Sequence, residues 1–206
     1  RDMPNPLVMT SGNLGDEPIA TDESELDPTI IRELDLVVSH NRKIYSRCDD
    51  SVLITSPVPV MIRRSRGYVP SPVRVPLTRE SLGMGADSKN TICFIRDGQA
   101  YLTQHIGSVE GKPCTQAMAR AIDHLRTLFG FAPEAVGCDM HPEYVSREAA
   151  YSVGIPVVEV QHHHAHIASC MAENLVIDRV IGVAFDGTGY GPDGTIWGGE
   201  FLLADY

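Results

Sequence analysis

Three consecutive pieces decide how the rest of the chain is read: VVEV at 157–160, QHHHAHIASCMAEN at 161–174 and RVIGVAFDGTGYGPDGTIWGGE at 179–200. The first is a short apolar run suited to a buried strand. The second reads as a helix carrying His162, His163, His164 and His166. His162 and His166 stand at i and i+4, on one helical face and one turn apart, where two imidazoles can hold one metal ion from the same side. The third piece opens with a second buried strand, 180–185, which ends in Asp186 and is followed by Gly187-Thr188-Gly189-Tyr190-Gly191. A carboxylate at a strand end, with glycines that let backbone N–H groups approach an oxyanion, suits a phosphate or a metal-bound oxygen. Strand ends of α/β sheets are also where ligands sit.

Packing accounts for a single helical histidine. Four in so short a run, with Asp186 closing the neighbouring strand, point instead to a metal site with His162, His166 and Asp186 as ligands. The pair has the spacing of the zinc-protease HExxH signature, but positions 163 and 164 are both His. The glutamate base of that chemistry is missing, so hydrolytic zinc chemistry is disfavoured. His163 and His164 project elsewhere from the helix, toward substrate as catalytic groups or toward the surroundings of the ligands.

The pattern of strand, aspartate, polar loop and strand occurs once before. Residues 82–86 run into Asp87-Ser88-Lys89-Asn90, then 91–95, the turn Asp97-Gly98 and 100–106. Asp-Gly between apolar runs is a strong hairpin signal, and the recurrence marks a fold-level internal repeat. Between the two hairpins, 115–129 has the apolar spacing of an amphipathic helix stopped by Gly130. Residues 135–138 read as a strand and 143–153 as a second helix stopped by Gly154. Strands alternating with helices predict a largely parallel sheet. Asp139 and His141 fall at a strand end, within reach of the outer surroundings of a metal.

Toward the start, 6–9 reads as a strand entering the turn Thr10-Ser11-Gly12-Asn13, whose hydroxyls, amide and backbone N–H groups suit either a turn or a ligand loop. Asp27-Pro28 opens a helix to about residue 34. Residues 36–39 read as a strand, and 52–55 with 60–64 as a hairpin. Arg63, Arg64 and Arg66 form the densest positive feature of an acidic chain, and guanidinium groups suit phosphates. Val69-Pro70-Ser71-Pro72-Val73-Arg74-Val75-Pro76 is a semi-rigid extended segment, and a domain boundary is expected there.

Composition limits the classes. The 43% hydrophobic and 21% charged content is ordinary for a globular protein. The longest apolar runs are strand-sized, so no membrane span is expected. Arg1-Asp2-Met3-Pro4-Asn5-Pro6 has no apolar segment of the signal-peptide kind, and the chain reads as an excerpt of a longer protein. Five scattered cysteines without a CxxC pair fit a reducing, cytoplasmic setting. A net charge of −10 argues against a nucleic-acid backbone as the main partner.

The long motifs VQHHHAHIASCMAEN and IGVAFDGTGYGPDGTIWGGEF resemble the nickel–iron hydrogenase maturation carbamoyltransferases, the HypF family. A looser likeness extends to antibiotic O-carbamoyltransferases and to the tRNA threonylcarbamoyl transferases, which share the actin-like fold. The resemblance implies an α/β chain in two parts. Residues 1–76 are the end of an α+β YrdC-like domain, and 77–206 are the first part of a duplicated actin-like domain. It implies that carbamoyl phosphate and ATP, with Mg, form carbamoyl adenylate, and that the carbamoyl group passes to the C-terminal cysteine of a HypE-type acceptor. By the same resemblance His162, His166 and Asp186 hold iron or zinc. Ser11, Asn13, Arg47, Arg64 and Arg66 contact nucleotide and phosphate, and Gly187, Thr188 and Gly189 hold the adenylate. In place of the Ser-Gly pair usual after the Asn in YrdC-like loops, this chain has Leu14-Gly15-Asp16. Zinc fingers are expected upstream. Alternative readings are a tRNA threonylcarbamoyl transferase, disfavoured by HHHAH and the acidic charge, and a non-catalytic nucleotide-binding module.

Overall fold

The computed structural model describes residues 8–15 and 17–206. The strand expected at 6–9 lies partly outside them, and Val8 and Met9 are exposed without regular structure. Asp16 also lies outside the described residues. Helix α1, Pro28–Glu33, begins as expected, with the Asp27 side chain accepting from the Thr29 N–H at 2.7 Å. Strands β1 (Val52–Ile54) and β2 (Val60–Arg63) form the expected antiparallel hairpin. Residues 36–39 are not a strand: Leu36 is 76% and Val38 82% exposed, and no strand among the described residues pairs with them. Apolar content alone cannot hold an extended segment that has no hydrogen-bonding neighbour.

The main sheet has six strands in the order β3-β6-β5-β4-β7-β8. They are β3 (Val73–Arg74), β4 (Ser81–Gly83), β5 (Cys93–Arg96), β6 (Gln99–Leu102), β7 (Ala135–Asp139) and β8 (Val157–Val160). The β5–β6 turn is made by Asp97 and Gly98 with φ of 51° and 75°. Positive φ at both positions is what a tight two-residue hairpin requires. Helix α2 (Lys112–Phe129) ends on left-handed Gly130, whose N–H bonds the Arg126 carbonyl, and α3 (Val145–Ser152) joins β7 to β8. The sheet is mixed rather than largely parallel: β4, β7 and β8 are parallel, whereas β3, β6, β5 and β4 pair antiparallel. Tight turns can only return a strand antiparallel, and only the two helical crossovers permit parallel neighbours. Leu82, Phe94, Val136, Met118, Leu125 and Ala150 meet in the core, and Phe94 stacks on Phe131 with ring centroids 4.8 Å apart. Each such large side chain contributes about 1.5–3 kcal/mol by leaving water.

A second, smaller layer follows. Helix α4 (His162–Glu173) leads to β9 (Val180–Ala184), β10 (Gly189–Tyr190), β11 (Ile196–Trp197) and β12 (Glu200–Ala204). β9 pairs antiparallel with β12, and β10 with β11. Neither strand flanking the histidines is buried on both faces, as their apolar runs had implied. β8 is the edge of its sheet, with Val158 55% exposed, and β9 leaves Ile181 76% and Val183 46% exposed. α4 covers only one face of the β9–β12 pair, through Ile167 and Met171 against Val180, Leu202 and Ala204.

Candidate metal centre

Helix α4 is aimed by its buried stripe. His163, Ile167 and Met171 recur at i, i+4 and i+8 and face the small sheet. Ile167 lies directly over Gly182, where a Cβ would come within 2.6 Å of the isoleucine side chain, so the glycine is what lets helix and strand approach. With that face buried, the adjoining face turns His162 and His166 toward the end of β9. The Gln161 side chain caps the helix by accepting the His164 N–H at 3.0 Å.

Three ligand-type atoms converge there. His162 Nε2 lies 2.9 Å and His166 Nε2 3.2 Å from Asp186 Oδ2, and the two nitrogens are 3.1 Å apart. Bonds of about 2.0–2.1 Å at tetrahedral angles separate ligand atoms by roughly 3.3 Å, so this set needs little movement to close on a divalent ion. Two imidazoles and one carboxylate are also the donor chemistry such ions take. The three residues expected from sequence are therefore brought together, half-buried apart from the more exposed His166. Behind them, Asp139 Oδ2 meets His162 Nδ1 at 2.6 Å.

The electrostatics follow from these contacts. The hydrogen bond to Asp139 chiefly raises the pKa of His162, against the cost of burial, with Asp186 adding to the rise. Burial alone would raise the Asp186 carboxyl, but the Thr188 N–H, His162 and His166 together hold it below its ordinary value. His162 thus stabilises the metal-free fold fully below its ordinary 6.5, and the contribution is lost as pH rises through the raised value. Asp186 contributes above its ordinary 3.8, and that is lost as pH falls through the depressed value. Urea unfolding of metal-free protein against an Asp186→Asn variant should accordingly differ most between those two ordinary values. A difference independent of pH would contradict the pairing.

His163 is not placed as a catalytic group. Its ring is fully buried, with Nδ1 2.9 Å from Gln161 Nε2 and Nε2 3.2 Å from the Asp186 carbonyl. It ties the Asp186 loop to the helix and cannot reach a substrate from there. His164 Nε2 is likewise engaged, 2.8 Å from the Asp205 carbonyl. The glycine loop divides in function as well. Gly187 borders open space, Thr188 N–H donates to Asp186 Oδ1, and Gly189 lacks a side chain because the His163 ring occupies that place. Gln161, which serves both helix cap and His163, carried no signal beyond its position before the helix.

The N-terminal candidates are not gathered. Ser11 donates to Asn13 Oδ1, and the Asn13 amide closes on the Leu14 and Glu17 carbonyls, which is turn chemistry. Arg47 binds the Ile19 carbonyl and Glu25, Arg66 the Cys48 carbonyl and Asp50, and Arg64 the Ser71 carbonyl. The repeat aspartates also differ. Asp87 accepts the N–H groups of Val145 and Ser146, both at 2.9 Å, and so caps α3, whereas Asp186 faces the histidines.

A small hairpin-containing α+β segment precedes a mixed α/β sheet with a repeated strand–Asp–hairpin opening and a histidine–aspartate cluster at its second Asp. Family models agree along the chain: "Telomere recombination" over residues 1–65, "HypF Kae1-like domain" over 76–173, and "Carbamoyltransferase, Kae1-like Domain, second subdomain" over 182–206. Carbamoyltransferase HypF of Synechocystis sp. is 43% identical over 201 residues, covering 96% of this chain and 26% of that protein. The Rhizobium leguminosarum bv. viciae protein of the same name is 41% identical, covering 97% and 27%. A crystal structure of full-length HypF in the phosphate- and nucleotide-bound form superposes with a TM-score of 0.89 at 41% identity, covering 95% of this chain and 26% of that one. The chain belongs to the carbamoyltransferase HypF family. It spans about a quarter of the length of these relatives. Among the described residues, no helix is long and apolar enough to cross a membrane.

Proposed function

We propose that this chain is part of an ATP-dependent carbamoyltransferase. It forms carbamoyl adenylate from carbamoyl phosphate and ATP, and delivers the carbamoyl group to the C-terminal cysteine thiolate of a HypE-type acceptor for the cyanide ligands of nickel–iron hydrogenase. Residues 1–76 act as the end of the activating, YrdC-like domain, and 77–206 as the first part of the transferring domain. The observation that carries the second role is the meeting of His162 Nε2, His166 Nε2 and Asp186 Oδ2 within 4.8 Å of one another. These residues would hold iron or zinc, and the bound ion supplies a Lewis acid for charge developing on the carbamoyl group. Gly187 leaves the loop beside Asp186 open to an adenylate. On the activating side, Arg64 Nε is buried without a hydrogen-bond partner, and such a donor is satisfied by an oxyanion.

Elemental analysis of the full-length protein tests the centre. Iron or zinc should accompany the wild type and be lost from a His162→Ala/His166→Ala variant. Equal metal in both would overturn the assignment.

A further inference from the structure

We propose that Asp139 is the positioning residue that presents His162 to the metal; this rests on the reading of His162, His166 and Asp186 as ligands. Asp139 ends β7, an inner strand of the main sheet, and at this position pairs with Val160 of β8. Its side chain is only 6% exposed, and both oxygens are used. Oδ1 accepts the His141 N–H at 2.8 Å, and Oδ2 faces His162 Nδ1 at 2.6 Å. A carboxylate accepting on both oxygens leaves Nδ1 as the donor. The proton is then on the far side of the ring, and the lone pair of Nε2 is free for the ion shared with His166 and Asp186. Rotation of the ring, or the other tautomer, would set an N–H against the ion instead. The i,i+4 spacing does not choose between these states, whereas a carboxylate fixed at a strand end does. Asp139 is not itself a ligand, because it lies on the opposite edge of the imidazole. The centre is thus assembled across two sheets: Asp139 from the main sheet orients one ligand, and Asp186 from the small sheet supplies another.

The test uses the full-length protein, with Zn²⁺ affinity measured by competition against a chromophoric chelator and ligand geometry by the absorption spectrum of the Co²⁺-loaded form. Asp139→Asn keeps an Oδ1 acceptor for the His141 N–H but turns an amide donor toward Nδ1. Affinity should fall by about 10–100-fold and the Co²⁺ bands should shift. Asp139→Glu, which keeps the carboxylate, should recover part of the loss. Wild-type affinity and spectrum in Asp139→Asn would overturn the proposal. So would a lower affinity with unchanged Co²⁺ bands, since that marks an aspartate that supports the fold without orienting the ligand. If the wild type itself binds neither ion, the ligand assignment fails first, and this inference falls with it.

Discussion

His166→Ala in the full-length protein should abolish carbamoylation of the acceptor cysteine while leaving carbamoyl-phosphate-dependent exchange of pyrophosphate into ATP intact. The expected loss of transfer is on the order of 100-fold or more, the scale on which removing one preorganised electrostatic contact slows acyl chemistry. His166 supplies only Nε2 to the centre, and it is exposed, so its removal costs little packing. On the proposed division of labour, the exchange reaction reports on the other part of the chain, where Ser11, Asn13 and the arginines lie on the far side of the Pro-rich segment in sequence. Arg64→Ala should show the opposite order of damage, weakening exchange before transfer. The choice of Arg64 comes from its buried, unpartnered Nε: all three arginines bind carbonyls of their own segment, but in Arg47 and Arg66 the Nε is also engaged, by the Ile19 carbonyl and by Asp50. Loss of exchange in His166→Ala would show that activation also occurs at the histidines, and the division of labour would be wrong.

Gly189→Ala should destabilise the protein by about 1–3 kcal/mol, the usual cost of forcing an extra carbon into a filled interior. It should also weaken metal binding. A Cβ at position 189 would stand 2.6 Å from Nδ1 of the buried His163 ring, which has no room to retreat. Displacing that ring breaks its bond to the Asp186 carbonyl, and so moves the carboxylate proposed as a ligand. Gly187→Ala, two residues earlier in the same loop, is the control. Nothing lies within 4 Å of a Cβ there, so its unfolding midpoint and metal content should match wild type. Chemical denaturation of the pair separates the explanations. Equal destabilisation would mean that the loop needs glycine for its backbone freedom rather than for the His163 contact.

Much of the site was legible without coordinates because its signals are local. The i,i+4 histidines share a face by helical periodicity alone, and Asp186 follows an apolar run of strand length and composition. Asp97-Gly98, Asp27-Pro28 and Gly130 marked their turn, helix start and helix stop for the same reason, since each is a property of one residue's allowed backbone. The segment at 36–39 misled because a strand is made by its neighbour, and apolar residues carry no information about whether one exists. What tertiary structure decided is which way these elements face. Ile167 settling over Gly182 and Met171 packing beside it set the rotation of α4, and that rotation buries His163 while turning His162 and His166 toward Asp186. His163 and His166 are the same residue type three positions apart, so composition could not separate a buried brace from a candidate ligand. Nor could sequence choose between Asp87 and Asp186, two aspartates in one repeated pattern. The first caps a helix because α3 starts against it, and the second meets the histidines because α4 starts beside it. The partner of His162 comes from another strand altogether, and only folding brings Asp139 to its Nδ1.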